Sequence, residues 1–122
     1  MRELKRKVLI IDDEEDCCLL MSKFFSRNNY EVLIAHTLNE GIDIVKTQEP
    51  QYIFLDNNLP DGLGWKVAKK ISETYSDLTI ILISAYESSL NDDETKSFSV
   101  WEKPISMKKL QQFVEASTPI NL

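Results

Sequence analysis

Tyr52-Ile53-Phe54-Leu55-Asp56-Asn57-Asn58-Leu59-Pro60-Asp61-Gly62 is the stretch that decides the fold. Its apolar residues run straight into an acid, and the turn-forming Pro60, Asp61 and Gly62 follow at once. A short apolar run bounded by turn residues reads as a strand buried on both faces. Such strands belong to parallel sheets covered by helices on each side. Asp56 then stands at the strand's C-terminal end, where open α/β sheets place their binding crevice.

Outward from this strand the pattern repeats. Val8-Leu9-Ile10-Ile11 ends in Asp12-Asp13, and Thr79-Ile80-Ile81-Leu82-Ile83 ends in Ser84. Tyr30 to Ala35 reads as a further strand around Val32-Leu33-Ile34. Ser97-Phe98-Ser99-Val100-Trp101 alternates polar and apolar, as a strand at a sheet edge does, and Lys103-Pro104 ends it.

Helical patterns lie between the strands. Residues 14–28 start acidic, carry Cys17, Leu20, Met21 and Phe24 on one predicted face, and meet Asn28-Asn29 as a stop. Thr37-Leu38-Asn39-Glu40 fits a capping box, opening a helix with Leu38, Ile42 and Val45 on one face and Pro50 beyond its end. Trp65, Val67, Ala68, Ile71 and Tyr75 mark a third helix with Lys66, Lys69 and Lys70 on its outer side. Ser106 caps a last helix carrying Met107, Leu110 and Val114. Residues 87–97 are mostly polar around Leu90, so a short or mobile helix is expected there.

Five strands alternating with five helical segments give an α/β, doubly wound (βα)5 fold with a five-stranded parallel sheet. In such a sheet all strand ends of one kind share one edge. Asp12, Asp13, Asp56, Ser84 and Lys103 are therefore expected to converge on one crevice, although they are far apart in the chain.

The 122 residues suffice for one domain with a real core, expected at about residues 6–117, and are too few for two. A balance of 14 basic and 20 acidic residues, net −6, argues against direct nucleic-acid binding. The basic start, residues 1–7, precedes an apolar run too short for a signal peptide or membrane span, so a cytoplasmic location is expected. Cys17 and Cys18 are adjacent and are the only cysteines, which argues against a disulfide framework or a zinc site.

Carboxylates brought together repel, so either one keeps its proton or a cation sits among them. All-oxygen donors without His or Cys favour a hard ion, Mg²⁺ (or Mn²⁺). With a lysine and a hydroxyl beside them, the same groups suit phosphoryl transfer, and a carboxylate can itself be the nucleophile. Asp56, at the end of a rigid buried strand, is the best candidate for that role.

The acidic pair Asp12-Asp13, the motif Asp56-x-x-Leu59-Pro60-Asp61-x-x-Gly64, Ser84-Ala85 and Lys103-Pro104, in this order, resemble the response-regulator receiver domain of two-component signalling along nearly the whole chain. The resemblance implies a flavodoxin-like sheet of strand order 2-1-3-4-5. It also implies that Asp56 accepts a phosphoryl group from a phosphohistidine on a histidine kinase or a histidine-containing phosphotransfer protein. Asp13, Asp56 and the backbone carbonyl of Asn58 would bind Mg²⁺ directly, and Asp12 through water. Ser84 and Lys103 would meet phosphoryl oxygens, and the peptide before Pro104 would be cis. Asn58 and Tyr86 stand where the family tunes hydrolysis, Asn58 orienting a water and the bulk of Tyr86 excluding it. The aromatic residue common three positions before the lysine is replaced by Val100, so transmission is expected to run through residues 87–97 instead.

Taken singly, each residue has a plainer reading. Asp12-Asp13 and Asp56 suit turns after strands. Ser84 suits a turn hydroxyl and Lys103 a surface lysine. His36 reads as a loop residue, Lys66, Lys69 and Lys70 as a solvated face, and Trp65 and Trp101 as packing residues, with Trp101 also available to a partner. Two other functions compete with a phosphoacceptor. One is a phosphorylation-independent interaction module, which would normally have lost an acid or the lysine. The other is a small Mg²⁺-dependent aspartyl-phosphate hydrolase, which wants an acid where this chain has Asn58. No effector domain is evident, so the expectation is a single-domain regulator or a receiver from a longer protein. The output partner, and a phosphorylation-dependent dimer through the last helix, stay open.

Overall fold

Alternation along the strands organises the molecule. In the computed structural model, which describes residues 5–85 and 97–117, side chains of Val8 and Ile10 join one core and those of Leu9 and Ile11 the other. The same period of two separates Phe54 from Ile53 and Leu55, and Ile81 and Ile83 from Ile80 and Leu82. Strands clothed on both faces have no polar side to spare, hence their continuous apolar runs.

The elements in order are β1 (Arg6–Ile11), α1 (Glu15–Arg27), β2 (Tyr30–Ala35), α2 (Leu38–Gln48), β3 (Tyr52–Asp56), the two-residue strands β4 (Asn58–Leu59) and β5 (Gly62–Leu63), α3 (Gly64–Thr74), β6 (Thr79–Ser84), β7 (Ser99–Glu102) and α4 (Met107–Ser117). The main sheet is parallel with order β2-β1-β3-β6-β7, the expected 2-1-3-4-5 once the small antiparallel β4–β5 hairpin is counted apart. β3 takes the middle. Its register sets Leu55 beside Ile11 and Asp56 beside Ile83, so the ends of β1, β3 and β6 lie level. Among the described residues no helix is long and apolar enough to cross a membrane.

Residues of α1 and α4 pack on one face, with Met21, Phe25 and Leu110 fully buried against Phe54 and its neighbours. Residues of α2 and α3 cover the other, with Val45, Trp65 and Ala68 buried against Leu55 and Leu82. Local signals start and stop these helices. Thr37 Oγ1 accepts from Glu40 N at 3.1 Å, as a capping residue does. Asn28 Nδ2 donates to Phe24 O at 2.8 Å, and Asn29 turns the chain with φ 67°. Ser106 Oγ accepts from Lys109 N at 3.2 Å ahead of α4.

Several details differ from the sequence reading. The buried face of α1 is Cys18, Met21, Phe24 and Phe25, whereas Leu20 is exposed and Cys17 half-buried. The ring of Phe25, in contact with Tyr30, Phe54 and Phe113, sets the helix rotation. Met107 is exposed at the first turn of α4, and Ile105 just before the helix is buried instead. Trp101 is buried against Phe54 and Phe113, so its ring does not form an open partner surface. β7 covers Ser99–Glu102, starting two residues and ending one residue later than the alternation marked. Four helices are present among the described residues; the fifth predicted segment, residues 87–97, lies outside them except for Ser97.

Candidate functional site

β1 and β3 are neighbours and parallel, so the residues that end them are neighbours too. Asp12 N donates to Ala35 O at 3.0 Å, extending the ladder by one residue beyond β1. The Asp12 side chain is fully buried, and its Oδ1 accepts from Glu14 N at 2.9 Å. Its carbonyl oxygen accepts from Cys18 Sγ at 3.3 Å and lies 3.0 Å from His36 Nδ1, a contact that gives the loop histidine a structural place. Asp13 is exposed, and Asp56 is buried at the end of β3. One carboxylate oxygen from each of the three acids lies within 4.8 Å of the other two.

Lys103 follows β7 and closes the cluster. Its backbone N donates to Ser84 O at 2.7 Å, which ties it to the end of β6. Its Nζ lies 2.9 Å from Asp12 Oδ2 and 3.7 Å from Asp56 Oδ2, and it also pairs with Glu14 Oε1. The Lys103–Pro104 peptide is cis. Ser84 is buried at the end of β6, and Asn58 is exposed in the β4–β5 hairpin that follows Asp56. Val100 is half-buried on the α2–α3 side of the sheet, opposite to Trp101. Tyr86 lies outside the described residues.

Electrostatics follow from this crowding. Burial, and then the charge of Asp12, raise Asp56 to about 6, although Lys103 and the Asn57 N–H pull the other way. Burial alone would lower the Lys103 ammonium, but the hydrogen bond to Glu14, the ion pair with Asp12 and the charge of Asp56 outweigh it, so its pKa is raised and it stays protonated. The same burial, with Asp12 nearby, pushes Cys17 up to about 12 and Cys18 to about 11, so both remain neutral thiols and poor nucleophiles.

The donor set is oxygen alone and gathers three carboxylates, of which Asp12 and Asp56 lie beside Lys103. Such a set fits a hard divalent cation, for which exposed Asp13 leaves an open side and which would offset both the lost hydration of buried Asp56 and its repulsion by Asp12.

Three features of the site were not legible in the chain. Gly64 N donates to Asn57 O at 2.9 Å, and a Cβ on Gly64 would run into the Asp56 carbonyl oxygen and the Leu55 side chain. Asp61 accepts from Leu38 N at 2.7 Å and Asn39 N at 2.9 Å, so the loop after Asp56 caps α2. Those two hydrogen bonds hold the Asp61 carboxyl below its ordinary range. The Glu14–Lys103 pair is the third. Asp61 and Gly64 both stand in the turn-rich motif after Asp56, which marks their positions but not these contacts.

Known proteins share this architecture. A receiver structure from Methanospirillum hungatei JF-1, described as CheY-like, superposes with a TM-score of 0.84 at 22% identity, covering 93% of each chain. The chemotaxis protein CheY4 of Vibrio cholerae gives 0.81 at 21% identity, covering 94% of this chain and 100% of that one. A two-component response regulator from Clostridium difficile gives 0.79 at 25% identity, covering 92% and 94%. Residues 8–115 match the family model described as the response regulator receiver domain. With its fold, its acid cluster and nearly its whole length in agreement, this chain belongs to the response regulator receiver domain family.

Proposed function

We propose that this chain is a phosphoacceptor, a single receiver domain that takes a phosphoryl group onto Asp56 from a phosphohistidine on a histidine kinase or a histidine-containing phosphotransfer protein in the cytoplasm. The observation that carries this reading is the meeting of the Asp12, Asp13 and Asp56 carboxylates within 4.8 Å, with Lys103 Nζ 3.7 Å from Asp56. An Asp56 oxygen attacks phosphorus, the new O–P bond forms as the N–P bond breaks, and the imidazole leaves with the electron pair and takes a proton from solvent. Asp13, Asp56 and the Asn58 carbonyl would hold Mg²⁺ (or Mn²⁺), with Asp12 acting through water. The ion supplies charge neutralisation at the phosphoryl oxygens. Lys103 and the Ser84 hydroxyl supply the remaining contacts to those oxygens. The rigid β3 backbone keeps Asp56 oriented throughout. Asn58 and Tyr86 tune hydrolysis. The chain is no enzyme in the ordinary sense, since it assists only its own phosphorylation and dephosphorylation.

Intact mass after incubation with acetyl phosphate tests the proposal. A single phosphoryl adduct is expected on the wild type with Mg²⁺, and none without Mg²⁺ or on Asp56→Asn. An unmodified wild type, under conditions that label another receiver, would favour a phosphorylation-independent interaction module.

A further inference from the structure

Lys103 has a partner that phosphoryl transfer does not call for. Glu14 occupies the N-cap position of α1, yet its side chain makes no capping hydrogen bond. It reaches instead across 89 residues of sequence to Lys103 Nζ. The reach is prepared locally, since Glu14 N is held by Asp12 Oδ1 at 2.9 Å. The Lys103 side chain is 11% exposed and that of Glu14 is 58% exposed, so the pair spans the rim of the crevice. Lys103 Nζ therefore sits between Glu14 on the solvent side and Asp12 Oδ2 on the buried side, with Asp56 Oδ2 at 3.7 Å, beyond hydrogen-bonding range.

We infer that Glu14 is a positioning residue that latches Lys103 off the acceptor, so that the ammonium must leave Glu14 before it can meet a phosphoryl group on Asp56. The inference rests on the phosphoacceptor reading above. An ammonium is a point charge on a flexible stem and moves between neighbouring oxygens without rebuilding the backbone. Lys103 is held by Asp12 in any case, so loss of Glu14 leaves it in the crevice but free to turn toward Asp56. The latch sets how readily the site accepts phosphate, while the acids and the lysine themselves stay in place.

Initial rates of Asp56 labelling by acetyl phosphate, followed by intact mass in saturating Mg²⁺, test the latch on wild type, Glu14→Gln, Glu14→Asp and Glu15→Gln. Glu14→Gln removes the charge. Glu14→Asp keeps the charge but withdraws it by one methylene. Glu15→Gln removes an equal charge one residue on. The latch predicts that Glu14→Gln and Glu14→Asp both label roughly 2- to 5-fold faster than wild type, the range a part-exposed ion pair supports, and that Glu15→Gln changes little. Equal rates in all four chains would overturn the latch and leave the phosphoacceptor reading intact. A fast Glu14→Gln beside a wild-type-like Glu14→Asp would also overturn it, since repulsion of the anionic donor would then account for the gain. Absence of labelling in every chain, wild type included, would sink the phosphoacceptor reading and the latch with it.

Discussion

Two neighbouring layers of the same sheet do opposite work. Phe54 in β3 lies in a cluster of rings, with centroids 5.5 Å from Phe25, 5.2 Å from Trp101 and 5.4 Å from Phe113. Two residues further along the same strand stands Asp56, among other acids. Ile10 precedes Asp12 and Trp101 precedes Lys103 by the same step. The apolar layer gains free energy from every buried ring, about 1.5–3 kcal/mol per large side chain. The acid layer buries charge, and Asp56 raised to about 6 is the sign that it costs stability. A site that gathers like charges is held together by the layer beneath it, and the two are separated by only one period of a strand.

The largest effect is expected from breaking the lower layer. Phe54→Ala removes the ring shared by Phe25, Trp101 and Phe113 and should destabilise the fold by about 3–5 kcal/mol in urea denaturation. It should also shift the fluorescence of Trp101 while leaving Trp65, on the other face, unaffected.

The upper layer should answer in the opposite direction. In Mg²⁺-free buffer at pH 7, Asp56→Asn should stabilise the chain by on the order of 2–3 kcal/mol, because the folded state holds the Asp56 proton to about 6 against an ordinary 3.8. The folded chain binds that proton more tightly than the unfolded one, so the wild type loses this stability as pH rises from about 4 to about 6. The gap between the two proteins should therefore close below about pH 4. Adding Mg²⁺ should raise the Tm of the wild type more than that of Asp56→Asn, since a ligand stabilises the state it binds.

The smallest effect is expected at the edge of the ring cluster. The Tyr30 hydroxyl is buried without a hydrogen-bond partner among the described residues, although its ring packs on Phe25 at 5.1 Å. Tyr30→Phe keeps the ring and removes the lone hydroxyl, so urea denaturation should find it neutral or more stable by up to about 1 kcal/mol. A loss of stability there would mean that the polar atom contributes to the apolar layer after all.

What the chain determined by itself was the frame. Val8–Ile11, Ile53–Leu55 and Ile80–Ile83 are uninterrupted apolar runs, and each runs into a polar residue at its end. Burial on both faces needs no partner to be specified, so the runs alone implied a parallel sheet, and a parallel sheet implied that Asp12, Asp13, Asp56, Ser84 and Lys103 share an edge. The capping of α2 by Thr37 was equally local, three residues from oxygen to amide. Tertiary structure alone decided the rest. The rotation of α1 that buries Cys18 and Phe25 rather than Leu20 follows from rings on β2, β3 and α4. Asp61 caps a helix 22 and 23 residues before it, and Glu14 meets Lys103 across 89. Periodicity carries information only over a few turns or a strand, whereas these contacts are set by which side chains the packed sheet brings within a few ångströms.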